Sequence, residues 1–166
     1  DFAAFCLHLP YPKLALKGLN KIIPKDLNPE NKERLTSNFE ASITYSRQIG
    51  NIYTGSLYLG LLSLLEQSQN LKTGDKIGFF SYGSGAVSEI FSGRLVEGYK
   101  DMLRSDRLDI FAQRHNLSVA DYEQLFYEEA QLDDTGSTQF NTYQTGPFRL
   151  TEISEHQRIY KGNQND

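Results

Sequence analysis

The sequence predicts a layered α/β domain in which buried strands and one buried helix are covered by amphipathic helices. Three stretches carry that expectation. Phe2-Ala3-Ala4-Phe5-Cys6-Leu7 is a continuous apolar run of strand length, the pattern of a strand buried on both faces. Thr54 to Gln69 has a helical pattern and carries Leu57, Leu59, Leu61, Leu62, Leu64 and Leu65 around nearly its whole circumference, which implies burial on several sides. Lys76 to Tyr82, with Ile77, Phe79 and Phe80, reads as a second strand.

The remaining elements follow in chain order. Pro10 and Pro12 break the opening strand after His8-Leu9. A helix is predicted from Lys13 to Ile23, with Leu14, Leu16, Leu19 and Ile22 apolar and Lys13, Lys17 and Lys21 spaced four apart. Pro24 to Pro29 reads as a loop, Pro29 to Ser46 as a mixed helix, and Arg47 to Asn51 as a turn. Lys72 to Asp75 is a turn ahead of the second strand. Gly83-Ser84-Gly85 is a tight connection to a returning strand, Ala86 to Val96. Asp101 to Gln131 is helical and polar, with breaks expected near Arg107 and Ser118. Residues 133 to 146 form a polar loop, Phe148 to Lys161 a final strand, and Gly162 to Asp166 a frayed end.

Composition limits the function. The 166 residues are enough for one compact domain. The apolar share of 39% and the charged share of 23% are those of an ordinary globular protein. The net charge of -4 argues against nucleic acid as a partner, because phosphate backbones call for a basic surface, although a local basic patch can still hold an anionic ligand. Cys6 is the only cysteine, so no internal disulfide forms and the chain reads as cytoplasmic. The longest nearly apolar run, Tyr58 to Leu65, is too short to cross a bilayer, and no signal peptide is visible. The chain opens on an apolar run with no initiator Met, which leads us to expect that an upstream part has been removed.

Four patches hold candidate chemistry. His8 ends the opening strand, where ligands commonly meet α/β sheets. It can handle protons near neutral pH, or it can be a core histidine bonded to a backbone carbonyl. Lys13 and Lys17, one helical turn apart, can clamp a phosphate or form part of a solvated basic face with Lys21. Asn51, just ahead of the apolar helix, can hold a substrate carbonyl or an ordered water; on the residues alone, capping the helix is the favoured role. In Phe80-Ser81-Tyr82-Gly83-Ser84-Gly85 the glycines let backbone N–H groups approach a ligand, or simply make a hairpin turn. That stretch is neither a phosphate-binding Gly-Lys-Ser/Thr loop nor a dinucleotide fingerprint. Cys6, in an apolar strand, reads as an inert packing residue, and His115 and His156 as surface residues. Asp133-Asp134 reads as a solvated acidic pair. No Cys/His cluster has metal-ligand spacing, so no metal is expected.

Taken in order, three motifs resemble the 3-hydroxy-3-methylglutaryl-CoA synthase family. They are His8-Leu9-Pro10-Tyr11 with Lys13 and Lys17, Gly50-Asn51-Ile52-Tyr53-Thr54-Gly55-Ser56, and Ile77 to Gly85. The match is good over residues 1 to about 96 and looser over 97 to 161. The short form of the later region suggests a bacterial enzyme of the mevalonate pathway. The resemblance implies the C-terminal half, residues 1–166, of a thiolase-like fold built from two related halves. It implies an acyltransferase that condenses acetyl-CoA with acetoacetyl-CoA and water to 3-hydroxy-3-methylglutaryl-CoA and CoA. These CoA thioesters are substrates, and no further cofactor is implied. The family's nucleophilic Cys and general-base Glu belong to the N-terminal half, so this chain alone is expected to be inactive, and Cys6 does not stand at the nucleophile's position. By the same resemblance His8 is the catalytic His that polarises the acetoacetyl carbonyl, Lys13 and Lys17 sit near the CoA moiety, and Asn51 and Ser84 bind substrate. Tyr53 and Tyr82 line the same pocket. The partners implied are the missing half and, in the full-length enzyme, a second copy in a homodimer.

Two other readings remain. A ketoacyl synthase of the same superfamily also carries a His and a Gly-rich strand end in its second half, but the Gly50-to-Ser56 motif favours the first family. A non-catalytic CoA-ester-binding or scaffold domain is consistent with the lack of a complete catalytic set, yet the His, Asn, Ser and Lys candidates cluster at predicted element ends.

Overall fold

The computed structural model describes residues 1–104, 106–140 and 148–162. Two compact units make it up, Asp1–Asp106 and Arg107–Asp166. In the first, strand β1 (Ala4–Leu7) leads through helices α1 (Pro12–Ile22), α2 (Pro29–Ile49) and α3 (Gly55–Gln67) to β2 (Lys76–Gly83) and β3 (Val87–Arg94). The sheet order is β1-β2-β3. β1 pairs parallel with β2, from Ala4↔Ile77 to Leu7↔Phe80, and β3 returns antiparallel, from Gly83↔Val87 to Lys76↔Arg94. A parallel pair needs a long crossover, and the three helices supply it.

β1 is buried on both faces, as its apolar run predicts, and alternation divides its side chains. Ala4 and Cys6 join Leu57 and Leu64 of α3 with Ile77 and Phe79 of β2. Leu7 joins Ala15 and Leu19 of α1, Phe39 and Ile43 of α2, and Leu9. Asn28 starts α2 by accepting from the Asn31 N–H at 2.8 Å, with Pro29 in the first turn. Gly50, at φ 84, ends that helix. α2 therefore runs on to Ile49, and the turn expected from Arg47 begins only at Gly50. The last apolar residue, Ile49, continues the periodic face before a residue able to take the left-handed conformation appears.

α2 and α3 run antiparallel in close approach. A Cβ on Gly60 would lie 3.5 Å from the Ser42 carbonyl oxygen. Ser63 Oγ donates to the Ala41 carbonyl at 2.6 Å and accepts from the Tyr45 N–H at 3.2 Å. The expectation that α3 is buried on several sides is corrected here. Ser56, Leu57, Gly60, Ser63 and Leu64 are buried, Leu59, Leu61, Leu62 and Leu65 are half-buried, and Tyr58 is 62% exposed. Within this unit α2 and the sheet cover one side of the helix only.

In the second unit the helical span predicted over 101–131 is interrupted. A 3-10 turn at Tyr99–Met102 closes the first unit. The second opens with α4 (Arg107–Ala112) and α5 (Val119–Tyr127), broken apart near Ser118 as expected. Ser118 Oγ accepts from the Asp121 N–H at 3.1 Å and so caps α5. β4 (Thr138–Gln139), β5 (Phe148–Ser154) and β6 (Gln157–Gly162) form an antiparallel sheet in that order. Two expectations change. The loop predicted over 133–146 contains β4, while its residues 141–146 lie outside the described residues. The single strand predicted over Phe148 to Lys161 is a hairpin turning at Glu155 (φ 46) and His156 (φ 66). Both turn residues have positive φ, as a two-residue hairpin loop requires, and neither is the Gly or Asn that usually announces one. Asp133 is more than a solvated acid: its Oδ1 accepts from Thr135 Oγ1 at 2.6 Å and from the Thr135 and Ser137 N–H groups, each at 2.9 Å. The Thr135 hydroxyl first, then these backbone donors, hold its carboxyl below the ordinary carboxylate range. Of the frayed end expected at Gly162 to Asp166, Gly162 closes β6 and the rest lies outside the described residues. Among the described residues no helix is long and apolar enough to cross a membrane.

Candidate functional site

Because β1 and β2 run parallel, their carboxyl ends lie side by side, and every candidate residue belongs to that end. His8 follows β1 directly, and its N–H donates to the Phe80 carbonyl at 2.7 Å. α1 starts four residues later and carries Lys13 and Lys17 in its first turns, both exposed. Tyr82 and Gly83 finish β2, and Ser84 opens the short loop to β3, where Gly85 (φ 109) and Ala86 (φ 64) make the reversal. That loop is the hairpin-turn alternative. α3 runs back along the sheet. Just past its carboxyl end Ser68 Oγ donates to Asn38 Oδ1, and Asn38 Nδ2 donates to the Ala3 carbonyl at the start of β1. The amino end of α3, with the loop from Gly50 to Thr54, therefore faces the His8 end.

His8 is the residue with the least settled surroundings. Its ring is half-buried and lies 5.7 Å from the Tyr82 ring, centroid to centroid, at 59°. Its Nδ1 is buried and, among the described residues, has no hydrogen-bond partner. A buried nitrogen left unpaired costs about 1–3 kcal/mol, so it belongs to a site whose polar complement arrives from elsewhere or to a strained core. Leu7 and Leu9, 4% and 2% exposed, anchor the backbone on either side of the ring.

Asn51 does not cap α3. Its Oδ1 accepts from the Tyr53 N–H at 2.8 Å and from Ser56 Oγ at 3.4 Å, while Thr54 occupies the N-cap position without a side-chain bond. The capping role expected on the residues alone is thus replaced by a turn closed two residues on. A side chain committed to the turn's own N–H cannot also reach the helix donors. Tyr53, 78% exposed, sits at φ 56 inside that turn. The structure brings together His8 with Tyr82, and Asn51 with Tyr53. Among the described residues the side chains of Lys13, Lys17 and Ser84 have no hydrogen bond or ion pair.

Sequence reasoning passed over Ser56, whose hydroxyl accepts from the Ile52 N–H at 3.0 Å and whose side chain is wholly buried. Its signal was present: a serine in the first turn of a leucine-rich helix. His115 and His156 are exposed, and the described residues contain no group of three or more His, Cys, Asp or Glu fit for a metal. A cleft of about 550 Å³ lies at the opposite, amino ends of β1 and β2, between Phe2, Phe5, Ile23, Arg34 and Asp75, and holds none of the candidates.

Cys6 is 1% exposed, and burial pushes its thiol up to about 12. Against the ordinary 9.0, that leaves the thiolate on the order of a thousandfold scarcer at pH 8. We expect a thiol-specific disulfide reagent at pH 8 to leave Cys6 untouched in the folded protein and to modify it at once in denaturant. Rapid labelling of the folded protein would contradict its inert packing role.

With the geometry in hand, a family model described as hydroxymethylglutaryl-coenzyme A synthase, C terminal, matches residues 19–162. The chain belongs to the hydroxymethylglutaryl-CoA synthase family. It is 47% identical to a hydroxymethylglutaryl-CoA synthase of Enterococcus faecalis over 80% of this chain and 35% of that one. It is 66% identical, with a TM-score of 0.88, to a synthase solved in complex with CoA, over 98% of this chain and 42% of that one. A solved protein of Streptococcus mutans UA159 gives 62% and 0.84, over 98% and 43%. The chain therefore spans about two fifths or less of the length of these relatives. Its architecture is the α/β, thiolase-like fold of the synthases, represented in part. His8, Lys13 and Lys17 precede the segment that the family model matches, while the structural match covers 98% of the chain.

Proposed function

We propose that this chain is the carboxyl-terminal part of a bacterial hydroxymethylglutaryl-CoA synthase, a cytoplasmic, homodimeric acyltransferase supplying the mevalonate pathway. The observation that carries this reading is the 66% identity, over nearly the whole chain, to a synthase solved with CoA. The reaction joins acetyl-CoA, acetoacetyl-CoA and water into 3-hydroxy-3-methylglutaryl-CoA, releasing CoA. In the proposed division of labour, the part of the enzyme outside this chain holds the acetyl group as a cysteine thioester and removes the proton that turns its methyl into a nucleophile. This chain holds the second thioester and assists its ketone carbonyl.

His8 is the group placed to steady the alkoxide as the new carbon–carbon bond forms, because a donor fixed in place before reaction loses little in reorganisation. The Asn51 amide and the Ser84 hydroxyl are short polar groups suited to carbonyl oxygens of the same substrate. Tyr82, in ring contact with His8, and Tyr53 form apolar walls. Lys13 and Lys17 stand at the start of α1, whose first turn has no acidic residue and no side-chain cap. Two cations and a positive helix end suit the phosphates of a CoA. Both substrates arrive activated as thioesters, so the proposal includes no further cofactor and no metal.

The test is a condensation assay on the full-length synthase carrying this chain. Release of CoA from acetyl-CoA plus acetoacetyl-CoA is the expected result, with no turnover by the chain alone. Elongation of a malonyl thioester in place of that reaction would move the assignment to the ketoacyl synthases. Binding without turnover of any thioester pair would leave a scaffold.

A further inference from the structure

We propose that Ser56 is a positioning residue: it turns the Asn51 amide so that Nδ2, and not Oδ1, is presented to the substrate. The inference rests on the synthase reading above. An amide looks much the same either way round, and only its hydrogen bonds decide which end faces out. Here both bonds fall on the oxygen. The Tyr53 N–H, which can only donate, lies 2.8 Å from Asn51 Oδ1. The Ser56 hydroxyl adds a second donor at 3.4 Å. Ser56 Oγ in turn accepts from the Ile52 N–H at 3.0 Å, so its hydrogen is left free to point at Asn51.

Burial separates the two partners. Ser56 is 0% exposed and rooted in the first turn of α3, whereas Asn51 and Tyr53 are exposed. The serine is the rigid member of the trio, and the loop hangs on it. Among the described residues Asn51 Nδ2 has no protein partner, which leaves two N–H donors turned outward from the loop. That matches what a thioester or ketone oxygen requires and what a second acceptor would not supply. Ser56 itself, being buried, touches no substrate and acts through Asn51.

The experiment is a double-mutant cycle in the full-length synthase, reading kcat and KM for acetoacetyl-CoA together with thermal melting. Ser56→Ala is expected to lower kcat/KM about tenfold, the size of one lost aligning bond. It should have no further effect once Asn51→Ala is present. Equal losses in both backgrounds would show that Ser56 acts through something other than Asn51, and an active, stable Ser56→Ala would overturn the proposal. If Asn51→Ala is itself as active as the parent, the substrate role given to Asn51 fails and the catalytic part of this inference falls with it. The orientation is read separately, from the Asn51 Nδ2–H pair in an asparagine-labelled NMR sample. One fixed pair that becomes averaged in Ser56→Ala supports the anchoring. A pair unchanged by the substitution overturns it whatever the kinetics give.

Discussion

On the proposed function, replacing His8 with alanine in the full-length synthase is expected to lower condensation by at least about a hundredfold, the lower end of what a positioned proton-handling group contributes. The size follows from how the residue is held. The His8 backbone N–H is tied to the Phe80 carbonyl, and its flanking leucines are buried, so the backbone that carries the ring is held in place. Among the described residues its Nδ1 is buried without a partner, so truncation removes a polar atom that has no hydrogen bond to this chain. The melting temperature should therefore hold or rise slightly while activity falls. His115→Ala and His156→Ala, at exposed positions, serve as controls and should match the parent. Near-normal condensation by the His8 variant would remove the residue from the site even with the family membership intact.

Phe39→Ala costs about 3–5 kcal/mol of stability, the usual range for emptying a buried phenylalanine site. Phe39 is 1% exposed and fills the space between α1, α2 and the end of β1, against Leu7, Leu9, Leu19 and Ile43. A loss of that size consumes much of the 5–15 kcal/mol by which folded proteins are typically stable. Two of those neighbours flank His8, so the cavity also loosens the backbone that aims the imidazole, and activity should fall before the protein unfolds. Phe126→Ala provides the comparison. That ring is 65% exposed on α5, and its loss should shift the urea midpoint by an amount corresponding to no more than about 0.5 kcal/mol. Similar shifts for the two variants would show that the cluster around Phe39 is not the core it is taken to be.

Much of this was legible in the chain itself. Apolar runs, prolines and glycines are local signals. They placed β1, α1, α3, the β2–β3 hairpin and the break at Ser118 within a few residues. The His8, Gly50-to-Ser56 and Ile77-to-Gly85 motifs, taken in order, resemble those of the family, and that resemblance pointed to it. Where pattern reading failed, the deciding force lay outside the window being read. Glu155 and His156 turn a hairpin that no Gly or Asn marks, because strand pairing on either side forces them into positive φ. Leu59 and Leu62 look like core residues by composition, yet remain half-buried because burial depends on which elements pack against α3.

The site divides in the same way. Sequence alone determined which side chains are available, since chemistry is carried by residue type, and it set Lys13 and Lys17 one helical turn apart, since that spacing is local. Tertiary structure decided the rest. Parallel pairing of β1 with β2 set His8 beside Tyr82, although 73 residues separate them in the chain. The return of α3 along the sheet carried the Asn51 loop to the same end. Bonds from Tyr53 and Ser56 then determined which end of the Asn51 amide faces out. Distances between residues far apart in sequence, and the direction a hydrogen bond turns a side chain, are properties of packing, and no local pattern encodes them.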